Sequence, residues 1–220
     1  MFIVPTYAIA VGFCVVTMIC WGSWANTQKL ASKSWSFQLF YWDYTIGVVL
    51  LSVLFGLTLG SMGAEGRGFI PDLQQASSSA LTSAFVGGVV FNIANLLVVA
   101  AIDIAGMAVA FPVGIGIALV LGVLVNYFAV PVGNPVLLFA GVGLVTVAIV
   151  LDALAYRGMS SGKQQTPTKG IVLSIAGGVL MGFFYRFVAA SMSLDFANPE
   201  VGQMTPYAAV FVFAVGVLAS

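Results

Sequence analysis

The sequence predicts an all-α polytopic membrane protein, on the basis of its composition and of the length of its apolar runs. Of the 220 residues, 61% are hydrophobic and only 6% are charged, whereas soluble domains are about 45–50% apolar and about 25% charged. Seven Lys+Arg and seven Asp+Glu cannot cover the surface of a water-soluble domain of this size. Lipid is therefore the predicted solvent of most side chains.

The apolar runs predict six complete spans and the beginning of a seventh, because a helix needs about 20 apolar residues to cross a bilayer. The first run lacks the positive n-region of a signal peptide and exceeds an h-region of about 7–15 residues, which favours a retained membrane helix. The spans run approximately over Pro5–Trp24, Phe37–Gly60, Ala80–Ala101, Ile104–Phe128, Pro135–Ala155 and Gly170–Met192, and the seventh begins near Thr205.

The seventh span is short. From Thr205 to Ser220 the chain has about 16 residues, which make a helix of ~24 Å, less than the ~30 Å core of a bilayer. No charged flank follows it. We therefore expect a chain that is truncated at its C-terminus relative to a longer protein.

The distribution of charge predicts the orientation. Loops after the first, third and fifth spans share one side, and loops after the second, fourth and sixth share the other. The second group carries only Arg67 as a positive charge. The positive-inside rule places the first group in the cytoplasm and the N-terminus outside, in the plasma membrane or the bacterial inner membrane. The positive residues of the first group are Lys29, Lys33, Arg157, Lys163 and Lys169.

Residues 157–169 (RGMSSGKQQTPTK) form the most linker-like stretch. Five predicted spans precede it, and an odd number makes a second copy of the unit enter the membrane in the opposite orientation. That arrangement is the inverted repeat of many secondary transporters. The predicted organisation is a first five-helix repeat over 1–156, a cytoplasmic linker over 157–169 and an incomplete second repeat over 170–220.

Composition excludes several functional classes. The chain has no histidine, which removes imidazole acid–base catalysis and His-ligated metal sites. A net charge of zero gives no basic patch for nucleic acid. Gly-x-Gly-Asp of presenilin-type proteases is absent, and no glycine motif completes a phosphate loop. We predict no catalytic residue, no metal and no cofactor, and hence that the chain is not an enzyme.

Glycine pairs such as Gly178/Gly182 predict close helix packing, because small residues let helix backbones approach each other in lipid. In the fourth span, Pro112, Gly114 and Gly116 allow a second interpretation. They form either an ordinary packed helix or a flexible helix that lines a transport path.

Polar side chains at membrane depth are expensive, so each one is a candidate functional residue. Asp43 lies ~9 Å inside the second span, either as an interfacial anchor paired with Lys29 or Lys33 or as a protonatable carboxylate. In the third span, Asn92 and Asp103 are separated by about 1100° of helical rotation and so lie within ~20° on one face, with Asn95 ~60° away. The amides suit a neutral, hydroxyl- or amide-rich ligand, and structural interhelical hydrogen bonds are the alternative. For Asp103 the alternative is a cap at the loop.

Arg186 lies inside the sixth span in the segment Gly-Phe-Phe-Tyr-Arg-Phe. A buried arginine needs a carboxylate, carbonyl or ligand partner, unless its side chain reaches the interface near a helix end. We predict Arg186, its neighbour Tyr185 and Trp24 of the first span as substrate-binding candidates, with an anchoring role for Arg186 as the alternative.

Several segments resemble the plant ureide permeases and their bacterial relatives, which belong with the glucose/ribose porters in the drug/metabolite transporter superfamily. The resemblance implies ten helices in two inverted five-helix repeats, of which about six and a half are present here. The central loop is only about 15 residues, which leaves no room for the nucleotide-binding-like motif of the plant loop. The matching segments are CWGSWANTQKL, FYWDYTIGVVL, GGVVFNIANLLVVAAIDIAGMAVAFPVGIGIALVLGVLVNYF, GGVLMGFFYRFVAASM and MTPYAAVFVFAVGVL.

The predicted function is secondary active transport of a small polar metabolite, either a sugar or a ureide- or nucleobase-like compound. Proton coupling through Asp43 or Asp103 is expected, so the partners are the substrate, protons and the bilayer. An exporter of drugs or other metabolites is the alternative within transport. A structural membrane scaffold is the alternative outside it.

Overall fold

The computed structural model describes residues 1–31, 34–159 and 168–220. Lys33, Lys163 and the middle of the predicted linker lie outside these ranges. Within them the regular structure is helical, and Met192 and Met204 form an isolated bridge. The helices are α1 (Tyr7–Ala31), α2 (Phe37–Leu57), α3 (Phe69–Gln75), α4 (Ser78–Ala105), α5 (Met107–Ala129), α6 (Pro135–Met159), α7 (Thr168–Ala190) and α8 (Pro206–Ala219).

Among the described residues, five helices (α1, α2, α4, α5 and α7) are long and apolar enough to cross a membrane. Shorter apolar stretches cover Pro135–Leu151 in α6 and Pro206–Ala219 in α8. The predicted all-α polytopic membrane protein is therefore confirmed. The inverted five-helix repeat stays a prediction.

The helices form two compact units. Unit 1 contains residues 1–82 and 191–218, and unit 2 contains residues 83–190 and 219–220. These units are defined by contact and not by repeat symmetry, so they do not test the predicted division into 1–156, 157–169 and 170–220.

In unit 2, glycines of α7 bring its backbone against α4 and α5. A Cβ atom added to Gly177 would lie 3.0 Å from the carbonyl oxygen of Ala94 in α4. One added to Gly178 would overlap the carbonyl oxygen of Gly114 in α5, and one added to Gly182 would lie 2.8 Å from Cβ of Leu121. The close packing predicted from Gly178/Gly182 is confirmed.

The same contacts give the directions of the helices in unit 2. The Ser174 hydroxyl of α7 donates to the carbonyl of Ala110 in α5 at 2.8 Å. Gly182 contacts Leu121 further towards the C-terminal ends of the same two helices, so α7 runs parallel to α5. Gly170 meets Ala105 and Gly177 meets Ala94, so α7 runs antiparallel to α4. These directions agree with the alternation of the predicted spans.

In unit 1, three segments that the span count places on one side of the membrane come together. The backbone N–H of Phe2 donates to Leu59 at 2.7 Å, and that of Gly66 donates to Ala197 at 3.1 Å. The Tyr207 hydroxyl donates to the carbonyl of Phe2 at 3.1 Å. We call this side, formed by residues 1–6, 58–77 and 191–205, the N-terminal side.

The short helix α3 was not among the predicted elements, because seven residues are too few for a span. It packs into unit 1 through Phe69, whose ring lies 2.8 Å from where a Cβ of Gly56 would stand and makes an edge-to-face contact with Phe211 at 5.6 Å. The glycine pair Gly56/Gly60 therefore accommodates aromatic side chains of α3 and α8, since Gly60 similarly meets Tyr207.

Candidate functional site

The two predicted asparagines lie buried near the middle of α4, with 3% of Asn92 and 6% of Asn95 exposed. Asn92 Nδ2 donates to Ser220 Oγ at 3.2 Å. The neighbouring Phe91 packs edge-to-face on Phe184 of α7 at 5.0 Å. Two amide side chains, which can both donate and accept hydrogen bonds, are therefore buried on α4, the helix that also carries the aromatic contact of Phe91.

Asp103 is not buried with the asparagines. It is exposed and lies in the last turn of α4, which continues to Ala105 before Gly106 turns the chain with φ 80°. The sequence analysis placed it between the third and fourth spans, whereas in the structure it lies inside α4. Although it shares a helix face with Asn92, it lies ~16 Å further along the axis.

Asp43 is exposed on α2 and accepts a hydrogen bond from Trp35 Nε1 at 3.0 Å. The alternative partners expected for it, Lys29 and Lys33, have side chains outside the described part of the chain. Its position, six residues after Phe37, corresponds to ~9 Å inside the helix. The indole contact fits either of the two roles, anchor or protonatable carboxylate.

Trp24 joins an aromatic group near Asp43 in unit 1. Its ring stacks on Tyr44 with a centroid distance of 6.0 Å and an interplanar angle of 22°. Tyr44 in turn contacts Tyr41 at 5.6 Å, and Tyr41 is buried. This group offers flat aromatic faces on the helix α2 that also carries Asp43.

Tyr185 and Arg186 lie near the end of α7. Tyr185 is 48% exposed and Arg186 is half-buried. In the part of the chain that the structure describes, Arg186 forms no ion pair. It lies four residues before the end of α7, about 6 Å along the axis, so its side chain is long enough to reach the interface. Both interpretations of Arg186 stay open.

The Pro112–Gly116 stretch lies in α5, which runs unbroken from Met107 to Ala129. Gly114 faces the Ser174 carbonyl, and Gly116 faces Ile149 of α6, with 3.3 and 3.2 Å to an added Cβ. These contacts explain the glycines by packing. Flexibility of this helix stays a prediction.

One densely hydrogen-bonded polar residue was missed by the sequence analysis. Asp72 of α3 is fully buried and accepts four hydrogen bonds. Its Oδ1 accepts from Arg67 Nη1 at 2.9 Å and from Gln75 Nε2 at 3.3 Å. Its Oδ2 accepts from Thr205 N at 2.7 Å and from Thr205 Oγ1 at 2.8 Å.

This cluster joins two distant parts of the sequence within unit 1. Arg67 also donates to the carbonyls of Gln203 at 3.2 Å and Pro199 at 2.9 Å. Thr205 precedes the first residue of α8, so Asp72 satisfies a backbone N–H at the start of that helix. One signal was available: Arg67 is the single positive charge of its predicted side, and Asp72 is five residues away.

A second carboxylate of the N-terminal side is exposed. The backbone N–H of Asn198, its side chain and the backbone N–H of Ala197 all donate to Asp195, and these hydrogen bonds hold the pKa of its carboxyl below the ordinary value. Among the described residues, no group of three or more Cys, Asp or Glu side chains is arranged to hold a metal ion.

The structure thus distributes the predicted candidates over both units. Trp24 and Asp43 belong to unit 1, together with the unpredicted Asp72 cluster. The remaining candidates belong to unit 2, and they are Asn92, Asn95, Asp103, Pro112, Gly114, Gly116, Tyr185 and Arg186.

Three relatives from Arabidopsis thaliana illustrate the similarity to known proteins. The chain is 25% identical to Ureide permease 1 over 71% of this chain and 41% of that protein. It is 25% identical to Ureide permease 4 over 81% of this chain and 47% of that protein. It is 28% identical to Ureide permease 5 over 67% of this chain and 37% of that protein. The chain therefore spans less than half the length of these relatives. No solved structure matches it.

The family model described as ureide permease matches residues 40–169, which is more than half of the chain. The matched range includes Asp43, Asp72 and the asparagine pair of α4, and leaves Trp24 and Arg186 outside. Permeases are transporters, so the prediction that the chain is not an enzyme is confirmed. The resemblance predicted from the sequence is also confirmed: this chain belongs to the ureide permease family.

Proposed function

We propose that this protein is a secondary active transporter of a small polar metabolite of the ureide or nucleobase type. The proposal extends a family property to the whole protein, since the chain spans only 41% of Ureide permease 1. The observation that carries it is the buried amide pair Asn92/Asn95 in the middle of α4. Ureides present alternating N–H and C=O groups, and an amide side chain offers the matching donors and acceptor.

The amide pair is tested by replacing it with a near-isosteric apolar residue. Asn92→Leu and Asn95→Leu are expected to lower the uptake of labelled allantoin or uracil into proteoliposomes at least about fivefold. The physical reason is that a ligand amide left without its buried partner costs about 1–3 kcal/mol. Uptake of labelled glucose, measured in parallel, separates a ureide from a sugar substrate.

Gln38→Leu is the matched control, because it also removes an amide but from an exposed position in the first turn of α2. Its uptake is expected to equal that of the unmodified protein. Unchanged uptake in both asparagine variants would contradict the assigned site. Saturable efflux of organic cations without ureide uptake would favour the exporter alternative.

Proton coupling is proposed to run through Asp43 or Asp103. Both carboxylates are exposed in the described structure and lie at predicted cytoplasmic ends of their helices. A carboxylate that carries the proton is needed for gradient-driven accumulation and not for substrate exchange, because exchange moves no net proton.

We therefore expect Asp43→Asn or Asp103→Asn to abolish accumulation driven by a pH gradient while exchange of labelled for unlabelled substrate continues. Both activities are measured in the same proteoliposome preparation. Asp195→Asn, at an exposed loop carboxylate, serves as the control and is expected to keep both activities. If both helix variants accumulate substrate normally, neither residue carries the proton.

We further propose a plasma-membrane or bacterial inner-membrane location with the N-terminus outside. The clustering of residues 1–6, 58–77 and 191–205 in unit 1 supports the common side of these segments, because hydrogen bonds join them directly. The positive-inside rule then assigns that side to the exterior, since it carries only Arg67 among the loop cations.

A further inference from the structure

The Asp72 cluster joins two segments of unit 1 through many polar contacts. It consists of Arg67, Asp72, Gln75, Gln203 and Thr205, all in unit 1. Arg67 and Asp72 form an ion pair at 2.9 Å in which the carboxylate is wholly buried and the guanidinium is 20% exposed. Gln75 reinforces the junction, because its Nε2 donates to the Gln203 carbonyl at 2.9 Å and its Oε1 accepts from Gly202 N at 2.6 Å.

A buried ion pair adds little net stability to a permanent contact. The cost of removing two charges from water nearly offsets their attraction, and apolar side chains of the same size often give equal or greater stability. The pair has a different property: once separated, each partner is fully solvated by water. Water therefore compensates for part of the polar contacts that are lost when this cluster opens, as a reversible contact requires.

Gln203 is a second feature that disfavours the closed arrangement. Its side-chain Oε1 is buried and accepts no hydrogen bond from the described part of the chain. A buried acceptor without a donor raises the free energy of the closed arrangement. Water would satisfy this oxygen as soon as the cluster opened.

The position of the contact indicates what opening would release. Asp72 lies in α3, and Thr205 immediately precedes α8. Two of the four hydrogen bonds of Asp72 come from Thr205, so loss of these bonds, together with those of Gln75 to residues 202 and 203, frees the start of α8 from α3. Neighbouring Phe69 and Phe211 connect the same two helices only by an edge-to-face ring contact, which offers no directional bond to replace them.

We propose that the Asp72 cluster is a reversible latch that holds the start of α8 against α3 on the N-terminal side and opens during the transport cycle. The inference rests on the proposed function for its role in a cycle. Arg67 and Asp72 are positioning residues in this proposal, since they act through α8. Opening exposes Thr205 and Asp72 to water, and closing buries them again.

Opening is measured by thiol labelling in the full chain with Cys14 and Cys20 replaced by alanine. Thr205→Cys places a thiol at a position that is fully buried in the closed latch. A membrane-impermeant maleimide is expected to label it slowly from one face only. Adding Arg67→Gln is expected to increase the labelling rate at least about tenfold, because the carboxylate loses its charged partner.

Two further positions keep this test decisive. Met62→Cys, 63% exposed on the same side, reports reagent access and is expected to react rapidly at a rate that Arg67→Gln leaves unchanged. Ala208→Cys, fully buried in the first turn of α8, leaves every latch atom in place. It is expected to follow the labelling of position 205 and so replaces it if Thr205→Cys fails to fold.

The latch proposal and the proposed transport function can be contradicted independently of each other. Labelling is measured first without substrate and then under a substrate gradient, while uptake is measured on the same preparation. If the cysteines at 205 and 208 stay unlabelled while Met62→Cys reacts completely, with or without a substrate gradient, the cluster is a permanent structural lock and the proposal is overturned. Absence of uptake with normal labelling would instead count against the proposed function.

Discussion

Gly178→Ala is expected to destabilise unit 2 by about 3 kcal/mol, the upper end of the usual cost of overpacking. A Cβ atom at this position would overlap the carbonyl oxygen of Gly114 and lie 3.1 Å from Cβ of Ile117. The first obstacle is backbone, which cannot rotate away as a flexible side chain can. Only a separation of α5 from α7 relieves the overlap. Gly178→Val is expected to prevent stable folding.

The measurement is thermal unfolding of the detergent-solubilised protein, in which size-exclusion chromatography monitors the folded fraction that remains. Gly141→Ala is the matched control, since a Cβ atom at that glycine of α6 would meet nothing within 4 Å. Alanine is preferred to glycine in a helix by roughly 0.5–1 kcal/mol, so the control is expected to be slightly more stable than the unmodified protein. Equal losses in the two variants would show that the α5–α7 contact does not limit stability.

Asp72→Asn is expected to cost about 3–5 kcal/mol, which is typical of breaking a buried ion pair on one side only. The amide keeps the shape of the carboxylate, but its NH₂ group then faces donors of Arg67 or Thr205. Arg67 is left without an opposite charge in a partly buried position. The free energy of unfolding falls even though the volume of the side chain is unchanged.

Chemical unfolding in detergent measures this loss. Asp195→Asn on the adjacent loop is the control, because its carboxylate is exposed, and a loss well under that of Asp72→Asn is expected. Adding Arg67→Met to Asp72→Asn is expected to recover part of the stability, since the unpaired charge is then removed. If the double variant lost the sum of the two single effects, the ion pair would not be the source of the cost.

The fold was largely predictable because membrane spans depend on local composition. The predicted starts at Phe37 and Pro135 coincide with the starts of α2 and α6, and each marks the change from polar loop to apolar run. Packing was predictable at Gly178 and Gly182 for a similar reason, since closely spaced small residues suit close helix contact in lipid wherever the partner lies.

The candidate site was predictable only in part. Asn92 and Asn95 were identified by being polar at the middle of a span, and the structure places both in the buried interior of unit 2. Asp103 shares their helix face by angular arithmetic, yet it is exposed. Helix periodicity gives the direction of a side chain but not the neighbours that cover it.

Asp72 shows the limit most clearly. In the sequence it is one of seven acidic residues, in a loop that carries no motif. Its burial depends on Thr205 and Arg67, which close around it from segments 133 and 5 residues away. Contacts of that separation leave no periodic or local signal.

The sequence by itself determined the lipid environment, the order of the spans, the absence of histidine chemistry and the resemblance to a transporter family, because each follows from residue types and their spacing. Only the tertiary structure decided which polar groups are buried and paired. It placed the amide pair of α4 inside unit 2 and Asp72 at the start of α8. The physical reason is that burial and hydrogen bonding are properties of neighbours, and neighbours distant in sequence are chosen by packing.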